Sequence, residues 1–446
     1  MPLKKYAVAL NVALLAFAAV AQNPIRLWDY PLPMNNGQMI PRAPAIGAEG
    51  TVYFGWGSQM LAVNTNGTLQ WSYDTGMEEV TCPALAPDGT INFCAQSASY
   101  YPVYPYTRYT NYALTPSGSV AYQGSGSGLL QMAIGKHGEA YQGGNSVSTP
   151  LGIFSLFNYG GASNLAVDKD GRTYFGGSDG NFYCVGYSDR SGNFLPFWYD
   201  YFDMSFGQPV LGDGMVFFTA ANGSSFLYGL PTRSGGSSFT ADCAATASPV
   251  VDQNNSVYIG ENDGTFSCFP TRFGISGWSF ATSNSIIFAA ALGANGYAYF
   301  GSGSNLFAVD TNGVEQWQFS LPDQVASSPI ISGNGVLYIG TESTLTALQI
   351  FTGPAGGRWP MWGCDLRNGF RATPFDGAHI AIEYMNAITN GFELVACCPP
   401  GRGHIEASTN LEDWTVLTNV GSANGTLYLH DVNPTLTRRF YKISSP

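Results

Sequence analysis

The sequence predicts an all-β chain: a β-propeller of four-stranded blades, followed by a small C-terminal β-sandwich. Three observations carry that expectation. One stretch recurs with a period of about 40 residues, the spacing of propeller blades. Each copy holds four short runs rich in β-branched and aromatic residues. Asn-Gly, Asp-Gly and Glu-Gly pairs separate the runs, where hairpin turns need positive φ. The cleanest copy is Pro44 to Tyr73, PAIGAEGTVYFGWGSQMLAVNTNGTLQWSY. A unit of this kind cannot bury both of its faces alone, so it must stack against copies of itself.

The copies begin near Pro44, Pro83, Met132, Leu165, Pro209, Pro249, Ala290 and Pro329, at intervals of 33 to 49 residues. The first turn recurs as Pro87-Asp88-Gly89, Asp170-Gly171, Asp213-Gly214, Asn295-Gly296 and Asn334-Gly335. The second strand recurs as Thr173-Tyr174-Phe175-Gly176, Val257-Tyr258-Ile259-Gly260, Ala298-Tyr299-Phe300-Gly301 and Leu337-Tyr338-Ile339-Gly340. Its glycine lets a neighbouring backbone approach. The fourth strand keeps an aromatic at Trp71, Trp278 and Trp317. Cys184 and Cys268 occupy the third-strand slot that Ala62, Ala308 and Ala347 fill elsewhere, so they read as small buried apolar residues. The last copy lacks a fourth strand, and Arg26-Leu27-Trp28-Asp29-Tyr30 is a fourth strand without its first three. That N-terminal strand is expected to complete the last blade and leave no edge at the seam. The ring then has eight blades, or seven if the short third copy is too degraded to form one.

Copies such as SPVVDQNNSVYIGENDGTFSCF and GYAYFGSGSNLFAVDTNGVEQWQF resemble repeats of the pyrroloquinoline-quinone-like propeller family. Arg358-Trp359-Pro360-Met361-Trp362-Gly363-Cys364-Asp365-Leu366-Arg367 is similar to the segment that often follows the last blade in bacterial members. The resemblance spans Pro24 to Arg371. The propeller region is taken as 22–371, and 375–446 as the sandwich module. The module's IEASTNLEDWTVL and RRFYKI resemble small C-terminal modules of large secreted bacterial proteins.

Composition narrows the function. The net charge of −12 argues against nucleic-acid and anionic-membrane binding, which need basic patches. Residues 1–21 read as a signal peptide. Lys4-Lys5 precedes an apolar run from Tyr6 to Val20, and Ala19-Val20-Ala21 is a small-x-small cleavage site. The mature chain is therefore expected to be exported, to a periplasm-like space or outside the cell, starting at Gln22, and no membrane span follows. Cysteines of an exported chain can form disulfides. Counting outward from Asp88 places Cys82 opposite Cys94, and a bridge there would contribute roughly 3 kcal/mol.

The resemblance implies one enzymatic reading, a pyrroloquinoline quinone dehydrogenase. Its cofactor would sit on the propeller axis over a tryptophan, with calcium held by carboxylates and amides and a disulfide of adjacent cysteines above it. The adjacent pair here, Cys397-Cys398, lies in the C-terminal module and reads as a vicinal disulfide, or as one partner for Cys364. No calcium ligand or catalytic Asp can be placed residue by residue. The family also includes a lipoprotein that scaffolds outer-membrane β-barrel insertion, but no lipid-anchor cysteine follows the cleavage site here. Asp168-Lys169-Asp170-Gly171 and Glu261-Asn262-Asp263-Gly264 read as turn chemistry, and Glu78-Glu79 as solvated loop charge.

The expected function is a non-enzymatic binding scaffold without a cofactor. Its binding residues are sought in the insert of the second copy, at Tyr101, Tyr104, Tyr106, Arg108 and Tyr109. That loop opens on the ligand mouth of a propeller, and tyrosines present flat apolar faces with polar tips, suited to a protein partner or an extracellular polysaccharide. A second aromatic stretch, Phe194-Leu195-Pro196-Phe197-Trp198-Tyr199-Asp200-Tyr201-Phe202, reads as core.

Overall fold

The computed structural model describes residues 23–365 apart from 34–42, 48, 87, 101–104, 127–131, 135–139, 143–145, 150–151, 156–161, 169, 188–193, 237–238, 246, 272–276 and 357–358, and beyond them the strands between 381 and 444. The first 22 residues, and with them the expected signal peptide, lie outside the described residues.

Successive antiparallel sheets follow the repeats in order. Blade 1 consists of Ala45–Ile46, Val52–Trp56, Gln59–Val63 and Leu69–Asp74. Blades 2 to 7, which begin near Pro83, Met132, Leu165, Pro209, Pro249 and Ala290, repeat this order of first, second, third and fourth strand, with the first strand in two pieces in blades 2 and 5. Blade 8 takes its first three strands from Ile330–Ile331, Val336–Gly340 and Thr344–Gln349. Its fourth strand is Ile25–Pro31, with Trp28 facing Ala347. The N-terminal strand thus closes the last blade, as the sequence predicts. The third copy also forms a four-stranded sheet, of strands only three or four residues long. Eight sheets among the described residues therefore make up the β-propeller. Six further strands form two three-stranded antiparallel sheets, one from Ala381–Ile388, Gly391–Cys397 and Thr426–Asp431, the other from Thr415–Ser422, Gly401–Ser408 and Phe440–Ser444.

One row of side chains recurs across the blades. A second-strand Tyr faces a small third-strand residue, which faces a fourth-strand Trp. The rows are Tyr53–Ala62–Trp71, Tyr174–Cys184–Trp198, Tyr258–Cys268–Trp278, Tyr299–Ala308–Trp317 and Tyr338–Ala347–Trp28. Over the small residue the two rings meet, with centroids 5.6 to 6.1 Å apart. A larger third-strand residue would fill the space the rings share, which is why the slot holds Ala or Cys. The expectation of buried structural cysteines is met, and burial pushes the Cys184 and Cys268 thiols up to about 12.

Four of these tryptophans also tie their blade to the next. Trp71 Nε1 donates to Pro116 O at 2.9 Å, Trp198 Nε1 to Thr232 O at 2.9 Å, Trp278 Nε1 to Thr311 O at 2.8 Å and Trp28 Nε1 to Thr65 O at 2.8 Å. Each acceptor lies in the third-to-fourth-strand turn of the following blade, so Trp28 seats blade 8 on blade 1. Gly67, at φ +83°, shows why that turn wants glycine: a Cβ there would stand 2.7 Å from the Trp28 ring. Second-strand glycines admit the neighbouring backbone as expected. A Cβ on Gly55 would lie 2.5 Å from Thr81 O.

Candidate functional site

Blade topology sorts the connections onto two ends of the ring. First-to-second and third-to-fourth turns share one end. Second-to-third turns and inter-blade loops share the other, which is the mouth. Hydrogen bonds within blade 1 fix this, since Thr75 N donates to Ser58 O and Val80 N to Gly57 O.

At the mouth end of the inner strands, side chains bridge neighbouring blades. Cys82 Sγ accepts from Ala43 N at 3.0 Å, Ser328 Oγ accepts from Ala289 N at 3.1 Å, and Gln208 Nε2 donates to Leu165 O at 3.1 Å. These bridging side chains are a thiol, a hydroxyl and an amide, all uncharged. The opposite end of the axis is met by the chain itself. After blade 8 the backbone runs across the inner strands of blades 7 and 6. Ala355 N donates to Leu292 O, Leu292 N to Pro360 O and Val251 N to Trp359 O. Trp359, Met361, Trp362 and Cys364 all enter the main core, with Trp359 only 1% exposed. The Trp-Pro-Met-Trp segment is thus a structural closure at the end away from the mouth.

This arrangement bears on the quinoprotein reading. Calcium takes six to eight oxygen ligands, with carboxylates prominent among them. The three bridging side chains at the mouth end include no carboxylate. Among the described residues no group of three or more His, Cys, Asp or Glu is placed to hold a metal.

The expected binding insert is a β-ribbon rather than a loop. The second and third strands of blade 2, Ile91–Tyr100 and Pro105–Leu114, are each ten residues long and pair without a break from Ile91↔Leu114 to Tyr100↔Pro105. The blade holds the ribbon only part of the way. Glu79 pairs with Gln96, and Gly126 N donates to Tyr109 O. Beyond those two residues the ribbon has no strand partner on either edge among the described residues. Residues 97–100 and 105–108 therefore project by about 13 Å at 3.3 Å per residue.

Alternation divides the predicted residues between the ribbon's two faces. Arg108 shares the face of Tyr112, and Tyr109 falls on the other, where it packs against the small core of Ala84, Cys94 and Met132. Tyr106 lies on the strand Pro105–Leu114. Arg108 is exposed. Tyr101 and Tyr104 lie outside the described residues.

Three expectations are corrected. The Cys82–Cys94 disulfide is absent, and no disulfide joins the described cysteines. The count from Asp88 holds as far as Ala84↔Asn92, then slips by one residue, because Val80 faces Ala95. Thr81 consequently stands opposite Cys94, with Thr81 N donating to Cys94 O at 2.8 Å. The two cysteines end in separate core clusters. Cys397 ends the strand Gly391–Cys397, and Cys398 lies outside the described residues. The Glu78-Glu79 pair is not wholly solvated, since Glu79 is 4% exposed and its Oε2 accepts from Gln96 Nε2. The aromatic stretch of blade 4 is not all core either. Trp198 is buried, whereas Tyr199 and Tyr201 are 60% and 67% exposed. The two calcium-like tetrads are turns, as expected: Asp168 Oδ1 accepts from Asp170 N and Arg172 N, and Asp263 Oδ1 from Thr265 N.

In comparisons with known proteins, no protein family and no curated protein matches the chain in sequence. By structure it is similar to BamB from Moraxella catarrhalis, at 15% identity and a TM-score of 0.40 over 74% of this chain and 97% of that one. It is also similar to the computationally designed Ika8 protein, at 14% identity and a TM-score of 0.50 over 72% of this chain and 99% of that one. At such identities the likeness concerns the fold alone.

Proposed function

We propose that the chain is an exported, non-enzymatic propeller scaffold of the pyrroloquinoline-quinone-like type, and that its mouth face takes a protein partner through the blade 2 ribbon. One observation carries the reading: the ribbon leaves the blade with no strand partner on either edge among the described residues. Unpaired strand edges present rows of N–H and C=O groups that an extended peptide can join. A projecting ribbon that served only the blade would end where the blade ends, as the five-residue strands of blade 1 do.

Charge indicates what kind of partner fits. The mouth-side turns and loops carry Asp203, Glu261, Asp263, Asp323 and Glu342. Turns at the other end carry both signs, with Glu49, Asp88, Asp170, Asp213, Asp252 and Asp310 beside Arg172 and Arg233. A partner segment carrying Lys or Arg would complement the mouth carboxylates and be held more weakly as salt rises. The export part of the proposal rests on the N-terminal signal pattern.

The test is capture from an envelope extract by the full chain and by a variant in which residues 98–107 are replaced by Asn-Gly. A partner retained at low salt by the parent, released as salt rises and lost by the shortened variant would support the reading. Capture of the same proteins by both forms would remove the ribbon from the interface. Retention on polysaccharide in place of protein, again lost on shortening, would keep the site and change the ligand class.

A further inference from the structure

The outer edge of blade 4 departs from the repeat in one respect. Across the fourth strands, the residue after the row tryptophan and the residue two beyond it are small or polar. They are Ser72 and Asp74, Ser279 and Ala281, Gln318 and Ser320, and Asp29 and Pro31. In blade 4 they are Tyr199 and Tyr201. The residue between them also changes. Tyr73, Phe280, Phe319 and Tyr30 have Asp200 as their counterpart. Blade 4 has moved its aromatic weight from the covered side of the strand to the open side.

The cross-strand neighbours complete a flat platform. Tyr199 faces Tyr183, and Tyr201 faces Asn181. The Tyr183 and Tyr199 ring centroids are 5.8 Å apart, and Tyr183 stacks on Phe175 at 5.5 Å. Tyr183 is therefore a buried support under an exposed ring. At one end of the platform Asp179 gathers polar groups. Its Oδ2 accepts from the Tyr183 hydroxyl and from Asn181 Nδ2, and its Oδ1 from Asn181 N. Burial pushes the Asp179 carboxyl up, but these bonds outweigh it and hold the group below the usual carboxylate range. The platform thus pairs two exposed phenol rings with a fixed carboxylate and a fixed amide.

We propose that this platform binds a saccharide chain. Pyranose rings carry apolar C–H faces that lie on aromatic rings, and equatorial hydroxyls that donate to carboxylate and amide oxygens. The two tyrosines, set two residues apart along a strand, stand about 6.6 Å from each other. Area excludes the main competitor. At about 200 Å² per aromatic side chain, the exposed parts of Phe197, Tyr199 and Tyr201 present roughly 370 Å², against about 800 Å² per partner in a stable protein interface. A narrow linear ligand fits the strip, and a second copy of the chain does not. This site is separate from the blade 2 ribbon and does not depend on it.

The test is native affinity electrophoresis of the full chain through gels containing hydroxyethylcellulose, xylan or laminarin. The variant Tyr199→Ser/Tyr201→Ala installs the residues that blade 6 already carries at these positions, Ser279 and Ala281, so its urea midpoint should match the parent. The parent should be retarded by at least one polysaccharide, and the variant should lose at least ten-fold in apparent affinity. Asp179→Asn should weaken retardation less than the double variant does. Passage of the parent unretarded through all three gels would overturn the proposal, as would equal retardation of parent and variant. Concentration-dependent dimerisation in sedimentation that the double variant abolishes would also overturn it, by making the strip a contact between copies.

Discussion

If Trp28 seats the last blade on the first, the pair Trp28 and Gly67 must be energetically coupled, and a double-mutant cycle measures this. Trp28 is half-buried, its ring lies 5.8 Å from Tyr338, and its Nε1 donates to Thr65 O at 2.8 Å. Full burial would make Trp→Ala cost about 3–5 kcal/mol. Half of that, with about 1 kcal/mol for the hydrogen bond, gives about 3 kcal/mol for Trp28→Ala. Gly67→Ala has two costs. The left-handed backbone at φ +83° costs about 1–2 kcal/mol with a Cβ. The contact at 2.7 Å from Trp28 Cγ adds an overpacking cost of about 1–3 kcal/mol. The second cost disappears once Trp28 is gone. The double variant should therefore lose about 2 kcal/mol less than the sum of the singles. Urea unfolding followed by circular dichroism, with a shared slope, gives the three differences. Additivity within about 0.5 kcal/mol would refute the reasoning, because the N-terminal strand would then not rest on the blade 1 turn.

Three further outcomes follow from the same packing. The Cys184, Cys243 and Cys268 thiols are pushed up to about 12 by burial, from an ordinary value of 9.0. Between those values the unfolded chain has lost protons that the folded chain keeps, so stability should fall as pH rises from 9 to 12. Each thiol steepens the fall by about 1.4 kcal/mol per pH unit, and Cys184→Ala/Cys268→Ala should flatten it in alkaline urea titrations. Trp359→Ala should cost about 3–5 kcal/mol, measured by urea unfolding, because its side chain is wholly buried at the end of the axis away from the mouth. Gly260→Ala should lower the urea midpoint more than Gly171→Ala does. Its Cβ would meet Ile286 Cγ2 at 2.1 Å and the Ile286 carbonyl at 2.9 Å, whereas Gly171 pays only for φ +79°.

Much of the fold was legible because it is local and repeated. The turn residues, the second-strand glycine and the Ala or Cys slot each follow from constraints within one blade, and repetition amplifies them. The seam was legible for the same reason, since Arg26 to Tyr30 is a fourth strand by its own pattern. The Cys82–Cys94 pairing was misread because strand count assumes a constant register, and one slip between Ala84 and Val80 moves Thr81 into the facing position. Tyr199 and Tyr201 were misread because hydrophobicity along a strand does not show which side a neighbouring blade covers.

The sequence by itself determined the propeller, its period, its N-terminal closure and the small third-strand slot, because alternation, turn conformation and small-residue slots are properties of the chain over a few residues. Only the tertiary structure decided that the tyrosine-rich insert is a projecting ribbon, that Trp359 lies buried at the far end of the axis, that Glu79 is buried and that blade 4 turns two tyrosines to solvent. Each of these depends on which element stands opposite, and that is fixed by how the blades pack around the ring.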